Sequence, residues 1–381
     1  QSPEPGRAIV RLERLLEALP SGINLFRLLE ARPGLLEQLM AIITLAPPLA
    51  DDLARRPALF DALIDRSAHD LPESVPALQR AMQRAEPRGN YEALLDRIRV
   101  VTGEQRFALG VQLITGTHDP LDIAHGFAVV AEAALQTALA GTVAEFAKTH
   151  GTIEDSEMVI LGLGRLGGEA LTHASDLDII YLFTGDHGAE SDGERPMSAT
   201  RYYNRLAQRV GAALSVPTAE GPLYEVDTRL RPQGAQGPLA VSVESFARYQ
   251  RESAWTWEHM ALARARVVAG SFAARADVDD IIREVLLAPR DPATLREDAL
   301  KMRGEMARHK PAKGVLDVKL RRGGLVDIAF IVQYLTLRHI GDHPDIRDAN
   351  TAASLDKLKS AGVLATAHWR TLMRAQELWM G

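Results

Sequence analysis

The chain has 381 residues, of which 46% are apolar and 25% are charged, a composition typical of a globular protein with two or three domains. Its formal net charge of −6 argues against a nucleic-acid partner, because general affinity for nucleic acid requires a basic surface. The sequence contains no cysteine, which excludes disulfides, zinc-thiolate sites and cysteine nucleophiles.

The apolar segments are short. No apolar run approaches the roughly 20 residues of a membrane span, and the first residues lack the basic and apolar segments of a signal peptide. We therefore predict a cytoplasmic protein without a membrane partner. The chain starts at Gln1 and stops within a predicted helix over 367–380, so we expect it to be a piece of a longer protein.

The first 150 residues are predicted to form a helical bundle domain. Apolar residues recur there at spacings of three and four, as in Ile9, Leu12 and Leu16. Prolines separate the early helices, and longer helices follow Asn90. We expect this domain to act as a scaffold or docking unit.

The pattern changes between 151 and 270, where we predict an α/β domain. MVILGL and DIIYLF are apolar runs of strand length, rich in β-branched residues. Residues 200–214 have a helical period, and residues 222–232, PLYEVDTRLRP, alternate polar and apolar side chains as an edge strand does. Helices return over 271–381, in a C-terminal helical domain that we expect to be incomplete.

Two aspartates introduce the second of these strands. Asp176 and Asp178 are two residues apart, so a strand that begins there places both on one face, with Leu177 and Ile179 on the other. Two carboxylates roughly 5 Å apart repel by about 3 kcal/mol at an effective dielectric constant near 20. A cation between them removes this repulsion, so we predict a site for a hard divalent ion.

A glycine-rich turn, GLGRLGG, lies between the two strands. It fits the G-x-G-x-x-G pattern of dinucleotide-binding folds, but only about ten residues separate Gly168 from Asp178, too few for the crossover helix of that fold. Because they lack side chains, Gly167 and Gly168 allow backbone N–H groups to approach phosphate oxygens. We predict a nucleotide loop with Ser175 as a further donor; the alternative is a plain turn with Ser175 as its cap.

Asp227, Arg229 and Arg231 share one face of the predicted edge strand. A solvated edge would explain this alternation, but beside the aspartate pair Asp227 becomes a candidate third metal ligand, and Arg229 or Arg231 a partner for the triphosphate or the carboxylates. Three carboxylates suffice to hold two Mg²⁺ ions, and Asp227 is also a candidate acceptor for the proton of an attacking hydroxyl. Arg264 and Arg266 fit either a phosphate clamp or a solvated strand face.

These motifs together resemble a known superfamily. The G-G…S-D-x-D turn followed by a carboxylate on a later strand resembles the DNA polymerase β-like nucleotidyltransferases. More narrowly, GLGRLGGEALTHASDLDIIYLF, LYEVDTRLRPQGAQGPLAVS, AWTWEHMALARARVV and RRGGLVDIAFIVQYL resemble, in this order, the glutamine synthetase adenylyltransferase family. The resemblance implies an α+β fold: a mainly helical chain with a central nucleotidyltransferase domain over 151–270, flanked by helical bundles.

The resemblance also implies a function. It implies a magnesium-dependent enzyme that transfers AMP from ATP to a tyrosine of glutamine synthetase and so regulates nitrogen assimilation, with a PII-type signal protein as regulator. EGPLYEVDTRLRP and AWTWEH are similar to the C-terminal, adenylylating half of the family. The matching site residues are the metal-binding acids Asp176, Asp178 and Asp227 and the nucleotide-loop residues Gly167, Gly168 and Ser175.

Two other functions stay open. The same site would serve the half of the family that removes AMP from glutamine synthetase by phosphorolysis, because both directions need the same ions and phosphate site. A non-catalytic module that binds a nucleotide or a partner is the other alternative. It is favoured by Ala329, which stands where the family pattern G-G-L-V-D-I-E-F has a glutamate.

Overall fold

The computed structural model describes residues 5–18, 22–64, 70–84 and 90–380, and it confirms a mainly helical α+β fold with one small mixed sheet. The N-terminal part is helical, as predicted. Its helices are α1 (Pro5–Ala18), α2 (Gly22–Ala31), α3 (Pro33–Leu45), α4 (Pro47–Arg55), α5 (Leu59–Ile64), α6 (Val75–Gln83), α7 (Tyr91–Thr115) and α8 (Pro120–His150).

Local signals explain where several of these helices begin. Pro33 and Pro47 occupy the first positions of α3 and α4, where the missing N–H has no helical partner in any case. Asn90 caps α7, and its side chain accepts a 2.9 Å hydrogen bond from the backbone N–H of Ala93. The prolines and Asn90 therefore mark helix starts, as the sequence predicts.

Helix α8 is the most apolar long helix among the described residues. By length and composition it could cross a membrane, and α3 and α4, bent by 112°, would pass the same test together. However, 67% of the apolar stretch of α8 is buried inside the fold, where it packs against α6, α7 and the helix over residues 199–215. This burial is that of a core helix, and the cytoplasmic location stays a prediction.

The central part contains the sheet. Its elements are β1 (Met158–Gly162), α9 (Gly164–Gly167), β2 (Leu177–Phe183), α10 (Ala199–Ser215), β3 (Val226–Asp227), β4 (Ala240–Ser242), α11 (Val243–Glu252), α12 (Thr256–Leu262) and β5 (Arg266–Ala269). Strand β1 lies between β2 and β5 and is antiparallel to both, while β3 and β4 both pair with the other edge of β2 in parallel. The two predicted strands and the predicted helix after them are thus confirmed.

The sheet is buried on both faces. Along β1, Met158 and Ile160 join a core formed with α7, α8 and α10, whereas Val159 and Leu161 join a second core formed with the C-terminal helices. Strand β2 alternates in the same way, so Leu177 faces the first core. The apolar cores therefore extend across positions 150 and 270, and the division into three domains stays a prediction.

The segment 222–232 is not one continuous strand, so the prediction of a single polar face along it is wrong. Only Val226–Asp227 pairs with β2. The Asp227 carboxylate then accepts a 2.9 Å hydrogen bond from the backbone N–H of Arg229, which turns the chain away from the sheet. The alternation of polar and apolar residues does not reveal this turn, because it depends on a side chain that bonds to its own backbone.

The C-terminal part is helical again, as predicted. It consists of α13 (Phe272–Leu287), α14 (Pro292–His309), α15 (Leu325–His339), α16 (Thr351–Ser360) and α17 (Thr366–Met380). A loop over 310–324, which contains the sequence VLDVKLRRGG, connects α14 to α15. The half-buried Ala329 lies in the second turn of α15.

Candidate functional site

The three predicted metal-binding acids lie together at the start of β2. Asp178 pairs in parallel register with Asp227 on the neighbouring strand, so both side chains leave the sheet on the same side. Asp176 precedes Asp178 by two residues and shares that side. One carboxylate oxygen of each residue lies within 4.8 Å of the others. The strand register thus produces a half-buried triad of acids.

Gly164 makes room for this triad. Its φ of +55° lies in the left-handed region, and a Cβ there would overlap the Asp178 carboxylate, at 3.1 Å from its Cγ. A residue with a side chain is therefore disfavoured by the backbone conformation, and its Cβ would displace the Asp178 carboxylate. Gly164 is the second glycine of GLGRLGG, and the sequence alone predicted no role for it.

The electrostatics of the triad favour a cation. Burial, together with the carboxylates of Asp176 and Asp227, raises the pKa of Asp178 to about 6, against the opposing effects of Lys319 and Arg229. Carboxylate oxygens are the ligands that hard divalent ions prefer. Three such groups close together therefore fit a divalent cation, which would neutralise their mutual repulsion.

Arg229 binds Asp227 directly. Its Nε donates hydrogen bonds of 2.9 Å to both carboxylate oxygens, and its Nη2 donates to Oδ2. These hydrogen bonds lower the pKa of Asp227, although partial burial acts in the opposite direction. Arg229 was predicted to bind either the triphosphate or the carboxylates, and the structure shows it bound to the Asp227 carboxylate.

Arg231 holds the loop after β3. It donates to the backbone carbonyls of Thr228 at 2.9 Å and of Pro238 at 3.1 Å. Both contacts lie within the turn that follows Asp227. These hydrogen bonds occupy the Nε and Nη1 atoms of Arg231. A phosphate contact by this residue stays a prediction.

The predicted nucleotide loop is tightly packed. The N–H groups of Gly167 and Gly168 donate within the turn, to the carbonyls of Leu163 at 2.9 Å and of Gly164 at 3.2 Å. The hydroxyl of Ser175 accepts a 3.0 Å hydrogen bond from the N–H of Thr172. The structure thus shows these residues shaping the loop next to Asp176, and their contact with a nucleotide stays a prediction.

The N-terminal helices hold the two segments that carry the acids. Arg106 on α7 donates to the carbonyl of His173, three residues before Asp176, and to that of Leu223 at 3.1 Å, four residues before Asp227. The His173 ring also lies 3.3 Å from the carboxylate of Asp52 on α4. His173 is therefore half-buried at this junction, next to a cavity of about 850 Å³ whose lining includes Asp176.

Two arginines interact electrostatically with the acids: Arg165, for which the sequence predicted no role, and Arg264, for which a phosphate clamp and a solvated strand face were left open. Burial lowers the pKa of Arg165, while Asp176 and Asp178 oppose the shift. Burial also lowers the pKa of Arg264, to about 10; the nearby Arg165 adds to this shift and Asp178 opposes it. Arg266 is different, because it pairs with Glu132 at 2.7 Å. The sequence shows Arg165 inside the glycine turn, but only the fold brings Arg264 to it.

Comparisons with known proteins find two family models that match this chain. The family model for glutamate-ammonia ligase adenylyltransferase matches residues 36–281, and the model for GlnD PII-uridylyltransferase matches residues 296–380. The first match runs from α3 to α13 and includes the whole sheet, and the second runs from α14 to α17.

Three similar curated proteins are named bifunctional glutamine synthetase adenylyltransferase/adenylyl-removing enzyme. The protein from Mesorhizobium japonicum is 42% identical over 361 residues, which are 94% of this chain and 36% of that protein. The one from Brucella melitensis is 43% identical over 334 residues, 87% of this chain and 34% of that protein. The one from Agrobacterium fabrum is 40% identical over an alignment of 385 residues, which covers 100% of this chain and 39% of that protein.

This chain therefore spans little more than a third of the length of these relatives. Within that span, the family model covers the residues that build the triad, the glycine turn and the sheet. The chain belongs to the glutamate-ammonia ligase adenylyltransferase family, a family of nucleotidyltransferases.

Proposed function

We propose that this chain transfers AMP from ATP to a tyrosine hydroxyl of glutamine synthetase in a reaction that depends on Mg²⁺. The observation that carries the proposal is the triad of Asp176, Asp178 and Asp227, with ligand oxygens within 4.8 Å of one another, in a chain of this family. The names of the relatives support glutamine synthetase as the protein substrate.

The triad residues would hold the metal. All three are half-buried, and the raised pKa of Asp178 reflects its burial and its repulsion by the other two carboxylates. Mg²⁺ bound there would neutralise charge on the phosphate oxygens that surround the reacting phosphorus. Mg²⁺ itself stays a proposal, because the oxygen ligands fit other hard divalent ions as well.

The chemistry requires one bond to form and one to break. The phenolic oxygen bonds to the α-phosphorus, the bond to the bridging oxygen of the β-phosphate breaks, and pyrophosphate leaves with the electron pair. Asp227 is the proposed acceptor of the phenolic proton. Its pKa is lowered by Arg229, so it is a weak base, and a proton that it accepts passes on to water.

The protein supplies positioning. Arg229 fixes the orientation of Asp227, the register of β2 and β3 fixes Asp178 opposite to it, and Gly164 allows the Asp178 carboxylate to lie against the turn. Preorganised groups of this kind lower a barrier because they do not have to reorganise during the reaction.

The direction of the reaction is part of the proposal. Adenylylation rests on the resemblance of EGPLYEVDTRLRP and AWTWEH to the adenylylating half of the family, whereas the relatives are named for both activities. Removal of AMP by inorganic phosphate at the same triad is the second candidate. A PII-type protein is the proposed regulatory partner, supported by the match of residues 296–380 to a PII-uridylyltransferase model.

Intact mass spectrometry of glutamine synthetase tests the proposal. After incubation with this chain, ATP and Mg²⁺, the unmodified enzyme should gain one AMP per subunit. Loss of AMP from adenylylated glutamine synthetase in the presence of inorganic phosphate would instead support removal. A folded chain that produces neither change would contradict both directions and favour the non-catalytic module.

A further inference from the structure

Arg165 and Arg264 form a pair of cations without a protein partner. Arg165 lies half-buried on α9, and Arg264 lies between α12 and β5, where the residue is only 9% exposed. The Nε atom of Arg264 is buried and has no hydrogen-bond partner. In the part of the chain that the structure describes, neither guanidinium donates a hydrogen bond to a protein group or pairs with a carboxylate.

This isolation is unusual among the nearby arginines. Arg266, two residues from Arg264, pairs with Glu132, while Arg229 binds Asp227 and Arg106 bonds to backbone carbonyls. A guanidinium removed from water normally finds such acceptors, because an unpaired buried charge is strongly destabilising. The acceptor that Arg165 and Arg264 lack is therefore expected to arrive with a ligand.

The position of the pair identifies the charge of that ligand. Arg165 interacts electrostatically with Asp176 and Asp178, and Arg264 interacts with Asp178 and with Arg165. The two cations therefore lie within electrostatic range of each other and of the acids. A ligand that contacts both the arginines and a metal ion on the acids has to carry several negative charges, which is the property of a polyphosphate.

Gly168 accommodates this arrangement. A Cβ at Gly168 would overlap Nη2 of Arg264 and lie 3.0 Å from its Cζ, so the guanidinium is packed against the backbone of the glycine turn. Asn350, before α16, donates a 3.1 Å hydrogen bond to the carbonyl of Gly168 and supports the turn from the other side. The exposed Lys319, on the loop between α14 and α15, also interacts with Asp178 and adds a third cation.

We propose that Arg165 and Arg264 bind the β- and γ-phosphates of the nucleoside triphosphate, the part that leaves as pyrophosphate. This inference rests on the proposed function and deepens it, because it assigns two further residues, beyond the glycine turn and Arg231, to the binding of the triphosphate. The two guanidiniums neutralise charge on the departing phosphates near the triad. The nucleoside and its α-phosphate do not depend on them.

Titration calorimetry of the 381-residue chain tests the assignment. The ligands are ATP, AMP, pyrophosphate and orthophosphate, each with Mn²⁺, and Mn²⁺ alone. The variants are Arg165→Gln and Arg264→Gln, and the matched control is Arg251→Gln, which removes an exposed arginine paired with Glu284 at 2.6 Å.

Each arginine variant should weaken ATP and pyrophosphate binding at least about tenfold and AMP binding less than about twofold. Both variants should bind Mn²⁺ as tightly as the wild type or more tightly, because a cation near the acids has been removed. Weaker ATP binding without weaker Mn²⁺ binding distinguishes an arginine that binds phosphate from one that only supports the fold. Loss of a purely structural arginine would weaken the binding of Mn²⁺ and of ATP together. The Arg251→Gln chain should bind every ligand as the wild type does.

Three outcomes in the arginine variants would overturn the assignment. They are an equal loss of affinity for ATP and AMP, an unchanged affinity for pyrophosphate, and a loss of affinity confined to orthophosphate, the co-substrate of AMP removal. If Arg264→Gln does not fold, Arg165→Gln alone decides the comparison, because Arg165 is the less buried of the two residues.

The inference and the proposed function fail differently. If both arginine variants bind pyrophosphate as tightly as the wild type does, and the chain still transfers AMP, only the inference is refuted. Arginine-dependent pyrophosphate binding in a chain that modifies no glutamine synthetase would refute only the proposed function.

Discussion

Replacing Gly164 with alanine is expected to damage the metal site more than the fold. The left-handed backbone at φ +55° costs a residue with a Cβ about 1–2 kcal/mol. The new methyl group would also overlap the Asp178 carboxylate, which would have to withdraw by roughly 1 Å to reach ordinary contact distance. Metal–ligand distances tolerate only about 0.2 Å, so one of the three carboxylates would be lost as a ligand.

Gly116 offers a matched control for the backbone effect. Its φ is +65°, close to that of Gly164, but a Cβ there would meet no atom within 4 Å. Both alanine variants should therefore lose about 1–2 kcal/mol of unfolding free energy in urea without metal. Only Gly164→Ala should weaken Mn²⁺ binding, at least about tenfold, which corresponds to about 1.4 kcal/mol.

Mn²⁺ binding, followed by electron paramagnetic resonance on folded protein, makes this comparison. If Gly164→Ala binds Mn²⁺ with wild-type affinity, the Asp178 carboxylate is not a ligand in the position that the structure gives it. If Gly116→Ala weakens Mn²⁺ binding as much as Gly164→Ala does, the effect comes from general destabilisation, and the argument from the close approach is wrong.

Three further changes have predicted outcomes. Asp178→Asn should stabilise the metal-free protein at pH 7 by about 1–3 kcal/mol in urea unfolding, because Asp178 has a raised pKa and its ionisation there is unfavourable, but it should abolish stabilisation by Mn²⁺. Arg99→Met should cost about 3–5 kcal/mol in the same assay, because the buried guanidinium donates to four backbone carbonyls. Burial lowers the pKa of His259, so the unfolded chain binds its proton more readily, and stability should fall as pH decreases below about 6.5; His259→Gln should reduce this loss between about pH 7 and 5 in thermal unfolding.

Much of the acid site is predictable from sequence because it depends on local geometry. The spacing of Asp176 and Asp178 fixes their common face once β2 is recognised, and the apolar run DIIYLF is sufficient to recognise it. Asp227 is harder, because its place depends on a parallel pairing of only two residues, Leu177 with Val226 and Asp178 with Asp227. The family resemblance, rather than the alternation along 222–232, identifies it.

The cations around the acids depend on contacts between distant segments. Arg264 comes from the segment before β5, Lys319 from the loop before α15, and Arg106 from α7, so no local pattern assigns them to the site. The sequence leaves Arg264 and Arg266 equivalent, and the structure separates them, because Glu132 of α8 reaches only Arg266. Arg229 and Arg231 are also equivalent in the sequence pattern. The turn after Asp227 separates them, because Arg229 binds the Asp227 carboxylate and Arg231 donates to the carbonyl of Thr228.

The central claim is that the three carboxylates hold the divalent ion on which AMP transfer depends. The most direct measurement is AMP incorporated into glutamine synthetase, from labelled ATP, by the wild-type chain and by Asp178→Asn at increasing Mg²⁺ concentrations. Incorporation by the wild-type chain should rise with Mg²⁺, and that by the folded variant should be lower by at least about a hundredfold at every concentration. Wild-type levels of incorporation by Asp178→Asn would contradict the account.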